Sequence, residues 1–342
     1  MAVTVENSFG PVHTPASAPA GADLTAINGL TARDEARVET LQVIVKEETP
    51  FLPKVAFGLI TAASLGGAVF TGLGLGIEGW GVLIRWLTLW STALAGGVLV
   101  WRLVYLRDRE NEVDQARVDA LNGSALAHAD RVARWVAPVV FLGAPGALVV
   151  PHLAFTPLLR LALVVGSFAL AALLAFGVHN RSTAVPAALV VAGLLFGWAY
   201  ADTGGGWHTW VRLAHLTAFT LWLGGALWNI AVAMPAGREH PYVDAVLAGA
   251  RQLDRFRWVV RFALPTIIAT GLVMADVYRS LPLRWWTTMP GVLIPIKIMA
   301  IIALIVVFIT CPLFRHCSPV QGVCNVDDLE RTPEDADGVP AS

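Results

Sequence analysis

The sequence predicts an all-α integral membrane protein, a bundle of eight transmembrane helices with both termini in the cytoplasm. Of its 342 residues, 56% are hydrophobic and only 14% are charged, and the mean hydropathy is +0.63. Soluble domains carry about 25% charged residues, so this composition excludes an ordinary soluble protein. The formal net charge of −1 gives no indication of a nucleic-acid partner.

Eight apolar runs account for the predicted spans, and each is close to the roughly 20 residues that a helix needs to cross a bilayer. They lie at 55–76, 81–104, 134–154, 157–178, 183–200, 209–234, 258–279 and 290–313. Backbone polar groups inside lipid must bond to one another, so each run is predicted to be a helix.

The distribution of Lys and Arg between the loops sets the expected orientation. Arginines cluster after the second, fourth and sixth spans: Arg102, Arg107, Arg109, Arg117, Arg131, Arg134, Arg181, Arg238, Arg251, Arg255 and Arg257. On the other side, 77–80 and 201–208 contain no Lys or Arg, and 280–289 contains only Arg284. This alternation predicts that both termini are cytoplasmic.

The two ends of the chain differ from its apolar middle. The first part of residues 1–50 is rich in Ala, Pro, Gly and Thr. In the later part, Val38 and Val45 occur at helical spacing. This segment is predicted to be a cytoplasmic tail with one short amphipathic helix. Residues 315–342 are predicted to form a second cytoplasmic tail, which contains cysteine and is acidic after Cys324.

The membrane region divides into two predicted parts. Residues 51–200 hold about five spans with few charged residues. They are expected to be scaffold, in which Arg85 and Arg160 are either near the ends of their spans or able to snorkel to the membrane surface. Residues 201–314 hold three further spans, and the span at 183–200 is expected to belong to this second part.

The sixth span carries four residues at intervals of seven, which are His208, His215, Trp222 and Asn229. Two helical turns are close to seven residues, so all four fall on one face of the helix. An ionisable side chain at mid-membrane costs roughly 2.5–3.5 kcal/mol, which makes the deeper His215 a candidate functional residue. His208, at the outer rim, is explained equally well by an ordinary interfacial position.

Other spans place polar or sulfur-containing side chains at a similar depth, namely His152, Met274, Asp276 and Lys297. Together with the histidines of the sixth span, they are predicted to line one outward-facing polar site. Imidazole and carboxylate suit copper, zinc or iron, and thioether suits Cu(I). Lys297 is expected to pair with Asp276 or to attract an anion, and such an ion pair would equally serve a structural role.

Residues 208–312 contain an ordered set of features that resembles a known family. A histidine-bearing helix start leads into "LWLGGALW", Arg261 and Phe262 open the next span, and "ATGLVMA" and "LIPIKIMAIIAL" follow. This set resembles the copper-resistance D (CopD) domain of prokaryotic membrane proteins. That domain usually forms the last four helices, which fits an eight-span arrangement.

The resemblance implies copper handling in the cytoplasmic membrane of a prokaryote, by transport or delivery and not by enzyme catalysis. It implies that His208 and His215 take copper at the outer face and that Met274 and Met289 add soft ligands. Besides membrane lipid, the expected partner is a periplasmic or extracellular copper or redox protein. Polar support within the membrane is expected from a further set of side chains, Lys297, Arg261, Trp222 and Asn229.

Two other functions stay open. The histidines could be axial ligands of a b-type haem in an electron-transfer or quinone-linked subunit, and the HemJ-type oxidases are similar in having a buried His and a late Lys. A structural membrane subunit without a cofactor is the third alternative. Nucleotide binding is not expected, because "GLGLGIEG" at 72–79 joins two spans with no strand before it.

All three cysteines lie within "CPLFRHCSPVQGVC", at Cys311, Cys317 and Cys324, with His316 beside the second. The predicted topology places this stretch in the cytoplasm, where thiols stay reduced, so a disulfide is not expected. The spacing matches no standard zinc or iron–sulfur pattern. A cytoplasmic metal-accepting site and chance clustering at a helix end both remain open.

Overall fold

In the computed structural model, the described residues form helices joined by turns, with no β-strand among them. They comprise 51–74, 76–77, 79–110, 114–150, 156–240, 243–276, 279–289 and 291–310. Both predicted tails lie outside these ranges, and so do the predicted amphipathic helix and all three cysteines.

The helices follow one another with short connections. In chain order they are α1 (Phe51–Gly74), α2 (Trp80–Val100), α3 (Gln115–Gly143), α4 (Pro157–Ala175), α5 (Arg181–Thr203), α6 (Trp207–Trp228), α7 (Met234–Glu239), α8 (Val243–Ala275), α9 (Leu283–Trp286) and α10 (Leu293–Thr310). Two π-helical segments, Trp101–Tyr105 and Asn229–Ala233, directly follow α2 and α6, and a 3-10 turn, Ala144–Ala147, follows α3.

Five helical stretches among the described residues are long and apolar enough to cross a membrane. They are Trp80–Tyr105, Pro157–Ala175, Arg181–Thr203, Trp207–Glu239 and Trp258–Ala275. Two shorter apolar helices, Phe57–Leu73 and Leu293–Ala303, lie where the first and last spans were predicted. The region of the predicted third span belongs to α3, which also carries charged residues. The chain is therefore compatible with a multi-pass membrane protein, and the count of eight spans stays a prediction.

Helix α2 lies at the centre of the bundle, where it packs against α1, α3, α5 and α6. Every residue from Ser91 to Leu99 is buried, as expected of a helix with protein on all sides. Its closest approach is to α6, where Gly97 meets Gly224 and a Cβ on either glycine would overlap the backbone of the other. The part of the chain predicted to be scaffold thus supplies the helix around which the others pack.

Helix α4 presents an apolar face outward. Leu158 is 76% exposed, Leu161 59% and Val165 54%, and these residues recur at helical spacing. Thr156 caps the helix by accepting a hydrogen bond from the N–H of Leu159, and Pro157 occupies the first turn. Such an outward row of large aliphatic side chains fits contact with lipid rather than with water.

The two π-helical segments bring aromatic side chains together at one end of the central helices. The ring of Trp101 lies 6.3 Å from that of Trp228 and 5.7 Å from that of Phe256. Gly225 leaves the necessary room, since a Cβ there would lie 2.5 Å from Phe256 and 2.9 Å from the Trp101 indole nitrogen. A π-helical turn inserts an extra residue, which rotates the following side chains relative to a regular α-helix.

The turn between α4 and α5 is held by two oppositely charged side chains. Arg102 donates hydrogen bonds to the carbonyls of Val178, at 3.2 Å, and His179, at 2.7 Å. Asp130 accepts from the backbone N–H groups of the same two residues, at 2.6 and 2.7 Å. Gly177, with φ of 91°, approaches the Asp130 carboxylate so closely that a Cβ would lie 2.7 Å from its oxygen. Four backbone groups of this turn are therefore satisfied by side chains of α3 and of the π-helical segment that follows α2.

Replacing Asp130 by alanine should destabilise the chain by about 1.5–3 kcal/mol, because two backbone N–H groups lose a charged acceptor and Val178 is fully buried. Thermal unfolding of the purified protein, followed by tryptophan fluorescence, measures the change. Asp119→Ala is the matched control, since Asp119 lies on the same helix, is exposed and accepts a hydrogen bond from the side chain of Gln115 and not from a backbone N–H among the described residues. Equal stability of the two variants would show that Asp130 does not hold the turn.

Candidate functional site

An ionic triad of Arg85, Asp202 and Arg212 lies where α2 and α6 begin and α5 ends. Nη2 of Arg85 lies 2.6 Å from Oδ1 of Asp202, and Nη2 of Arg212 lies 2.7 Å from Oδ2. Nε of Arg212 donates a second hydrogen bond to Oδ2 at 2.9 Å. The side chains of Arg85, Asp202 and Arg212 are 1%, 7% and 15% exposed, so the triad is buried.

Three glycines between α5 and α6 create the turn that brings Asp202 and Arg212 together. Gly204, Gly205 and Gly206 have φ of 71°, 108° and 73°, in the left-handed region that glycine adopts most readily. The end of the bundle that carries this turn is called here the triglycine end. It corresponds to the end predicted to be extracellular.

Arg85 agrees with its prediction only in part. It lies near the start of α2, as one of the two alternatives expected, but it is buried and paired with Asp202 and does not snorkel to the membrane surface. Its guanidinium carbon lies 5.7 Å from the ring centroid of Trp198, over the face of the ring. Its Nε is buried and has no hydrogen-bond partner among the residues that the structure describes. Because arginine keeps its proton, the triad of two arginines and one aspartate retains a positive charge.

His215 is buried one turn deeper along α6 than Arg212. Its Nδ1 lies 2.9 Å from Oγ1 of Thr270 on α8. The Thr270 hydroxyl donates its single hydrogen to the carbonyl of Thr266 at 2.5 Å, so it accepts from Nδ1–H of His215. In the neutral imidazole this arrangement assigns the hydrogen to Nδ1 and leaves a lone pair on Nε2. Gly271 keeps the space beside the ring open, since a Cβ there would lie 3.8 Å from Cε1 of His215.

Lys297 reaches this region from α10, which packs on α1. Its ammonium group lies against Gly67 of α1, where a Cβ would be 3.0 Å from Nζ. Lys297 and Arg212 are both within electrostatic range of His215 and of each other. One basic group of α10 therefore lies within electrostatic range of two on α6, Arg212 and His215.

The predicted ion pair between Lys297 and Asp276 is not present. Asp276 instead lies 3.7 Å from Arg279, and both side chains are exposed, at 68% and 86%. Among the residues that the structure describes, Lys297 has no hydrogen bond or ion pair. That part of the expectation for Lys297 is therefore wrong, and its second part, attraction of an anion, stays a prediction.

The other predicted ligands are not gathered around His215. His208 is exposed, with its ring 4.0 Å from that of Trp207. Met274 is half-buried one turn beyond Thr270, and Met289 is 59% exposed. No group of three or more His, Cys, Asp or Glu side chains suited to a metal ion occurs among the described residues.

The residues predicted to give polar support within the membrane lie in different parts of the bundle. Trp222 and Asn229 are buried on α6 and the segment after it, and the Asn229 amide donates to the carbonyl of Gly225 at 2.9 Å. Arg261 is exposed, with its guanidinium 5.0 Å from the ring centroid of Trp258. The remaining candidates lie outside the described residues, namely His152, Cys311, His316, Cys317 and Cys324.

Sequence reasoning missed Asp202 and Thr270. Asp202 falls in the predicted loop 201–208, where a carboxylate is ordinary, and nothing in the local sequence indicates that Arg85 and Arg212 are its partners. Thr270 likewise carries no signal, because threonine is common in membrane helices and commonly bonds to its own backbone.

Comparisons of this chain with family models, with curated proteins and with solved structures found no match.

Proposed function

We propose that this chain handles copper at a site in the outer half of the membrane, with Nε2 of His215 as the central ligand. The observation that carries the proposal is the hydrogen bond from Nδ1–H of His215 to Thr270. A metal-binding histidine usually donates its other ring N–H to a fixed acceptor, which sets the tautomer and the orientation of the ring. The Thr270 hydroxyl is the fixed acceptor for His215, and it leaves Nε2 of the ring available to a metal.

Cu(I) is the metal form that the neighbouring side chains support best. Met274 lies one turn beyond Thr270 on α8, and we assign to it the thioether that would complete the site. Imidazole and thioether together suit Cu(I). The resemblance to the CopD family implies the same cargo, with copper taken at the outer face and passed across or along the membrane. A periplasmic or extracellular copper or redox protein is the proposed donor or acceptor.

His215→Ala should abolish stoichiometric Cu(I) binding to the purified full-length protein, because it removes the only nitrogen donor proposed at the site. Binding is measured by competition with a chromophoric Cu(I) chelator. His208→Ala is the matched control on the same helix and is expected to bind as the wild type does, since His208 is exposed and lies two helical turns from His215. Thr270→Val, which removes only the hydroxyl, should weaken Cu(I) binding about 10–100-fold.

Retained Cu(I) binding in His215→Ala, with gel filtration showing a folded protein, would contradict the proposed ligand. Loss of binding in His208→Ala would place copper at the exposed rim instead. Unchanged cellular copper in a deletion strain would contradict a role in copper handling even where binding occurs in vitro.

A b-type haem is the second candidate, favoured by a different observation. The described residues bring one histidine to the site rather than a set of ligands, and haem iron needs only one or two protein ligands. Arg212 and Lys297 would then pair with the haem carboxylates. Bound haem would supply one-electron redox chemistry. A Soret band lost in His215→Ala would support this candidate over copper.

The proposed topology has eight spans and cytoplasmic termini in the inner membrane of a prokaryote. Beyond the five long apolar helices, it counts α1, the latter part of α3 and α10 as spans. Single cysteines introduced into a variant that lacks the native three test it by labelling with a membrane-impermeant maleimide. A cysteine at Gly205 should be labelled from outside the cell, and one at Asn180 should not.

A further inference from the structure

We propose that Arg261 and Trp258 of α8 form a contact site for the headgroup of an anionic phospholipid of the phosphatidylglycerol class, at the end of the bundle opposite the triglycine end. The Arg261 guanidinium binds the lipid phosphate, and the Trp258 indole holds the guanidinium in place. This inference is independent of copper handling, since it concerns the outward surface of α8 and not the region around His215.

Trp258 marks the level of the membrane surface on α8. Phe256, two residues earlier, packs against Gly225 near the end of α6, so Trp258 lies far from the triglycine turn that precedes α6. The apolar stretch of α8 begins at Trp258 and continues to Ala275. Trp258 is 57% exposed. Exposed tryptophans of membrane proteins concentrate at the level of the lipid headgroups.

Helix α3, which packs against α8, shows the same change of composition at an exposed tryptophan. Trp135 is 75% exposed, and Arg134, directly before it, is the last charged residue of the helix. Two neighbouring helices thus change from charged to apolar at a tryptophan. This agreement supports a headgroup level beside Trp258.

Arg261 lies one helical turn inside the apolar stretch of α8, about 4.5 Å deeper than Trp258. It is exposed, and so is the adjacent Phe262. The guanidinium carbon of Arg261 lies 5.0 Å from the centroid of the Trp258 ring, so the side chain runs back toward the headgroup level. A long basic side chain adopts this course when its charge must reach the polar surface of the bilayer.

The charge of Arg261 is not compensated by the protein. Among the residues that the structure describes, its guanidinium has no carboxylate partner and no hydrogen-bond acceptor. Its contact with Trp258 leaves a full positive charge and five N–H donors. A lipid phosphate accepts two of these donors in the bidentate geometry that arginine favours. Phosphatidylcholine offers the same phosphate but carries its own cation, so an unpaired arginine at this level favours an anionic lipid.

Native mass spectrometry of the full-length protein tests the proposal. The protein in detergent is titrated with phosphatidylglycerol or with phosphatidylcholine of the same acyl chains, and the dissociation constant of the tightest bound lipid is measured for each. The ratio of the two constants gives the preference for anionic lipid. The wild type should prefer phosphatidylglycerol, and Arg261→Gln should lower the preference about fivefold.

Two further variants separate this site from general basic charge. Arg181→Gln is the matched control, because Arg181 begins α5 at the same end of the bundle, is 64% exposed and already pairs with Asp108 at 3.4 Å. It should keep the wild-type preference. Arg261→Lys retains the charge and should keep most of the preference. All three variants should unfold at the wild-type temperature in detergent, because each changes an exposed side chain.

A preference that is lost in Arg261→Gln and kept in Arg181→Gln and Arg261→Lys supports the site. The absence of any preference in the wild type, or an equal preference in the wild type and Arg261→Gln, overturns it. An equal loss in Arg181→Gln also overturns it, because the preference would then reflect the basic charge of the whole surface. So does a loss in Arg261→Lys as large as that in Arg261→Gln, since lysine keeps the charge on which recognition depends.

Discussion

Replacing Asp202 by asparagine is expected to destabilise the folded chain by about 3–5 kcal/mol, the largest effect among the single substitutions considered. The change removes one negative charge and leaves Arg85 and Arg212 buried beside each other without a counter-ion. Arg85 is only 1% exposed, so it cannot recover water without opening the bundle. Asparagine has nearly the same shape as aspartate, so the loss of stability measures the effect of the charge and not of side-chain packing.

Equilibrium unfolding in mixed detergent micelles measures the change. Asp276→Asn is the matched control, because Asp276 is 68% exposed and its 3.7 Å contact with Arg279 should contribute no more than about 1 kcal/mol. Arg212→Gln should cost less than Asp202→Asn, since the pair of Arg85 and Asp202 remains. Adding Arg85→Met to Asp202→Asn should restore part of the lost stability, because it removes the stranded charge. Equal stability of Asp202→Asn and Asp276→Asn would show that the triad is not an energetic unit.

Gly97→Ala is expected to destabilise the chain by about 3 kcal/mol or more, although it adds a single methyl group. The added Cβ would overlap the backbone of Gly224, and a backbone cannot move aside as a flexible side chain can. Helices α2 and α6 would have to separate, and both belong to the buried centre of the bundle. The same unfolding experiment measures the effect.

Gly193→Ala provides a control of opposite sign. Gly193 lies within α5, and a Cβ there would meet no atom within 4 Å. Alanine is favoured over glycine inside a helix by roughly 0.5–1 kcal/mol, so this variant should be as stable as the wild type or more stable. A small effect of Gly97→Ala, close to that of Gly193→Ala, would contradict the close crossing of α2 and α6.

The helical class could be predicted because it depends on local sequence, and so could the approximate bounds of α2, α4, α5 and α6. The two longest helices, α3 and α8, begin 19 and 15 residues before their predicted spans. A run of apolar residues sets the length of a helix, and a proline with a preceding threonine sets its start, as at Thr156 and Pro157. Neighbour relations between helices could not be predicted in this way. The sequence around Gly97 does not indicate that this residue contacts Gly224. The sequence of α2 likewise does not indicate that the helix lies at the centre of the bundle.

The candidate site was predictable in part for the same reason. His215 stood out because a histidine deep in an apolar span is costly wherever the helix packs. Its hydrogen bond to Thr270 and the pairing of Arg85 with Asp202 depend on which helix faces lie together. The opposite charges of Asp276 and Lys297 suggested that they form a pair. In the structure the Asp276 carboxylate is exposed, so water can solvate it, and its neighbour is Arg279.

The pairing of Arg85 with Asp202 also sets a constraint on how the chain is made. The two residues are 117 positions apart, so α2 enters the membrane long before its counter-charge has been synthesised. At about 5–20 residues per second, the delay is about 6–23 seconds. An arginine at the centre of a lone membrane helix costs roughly 2.5–3.5 kcal/mol by insertion scales, but Arg85 lies in the second turn of α2 and can lower this cost by snorkelling during the delay. Burial of Arg85 against Asp202 is therefore expected only after α5 has been synthesised, as a late step in assembly of the bundle centre.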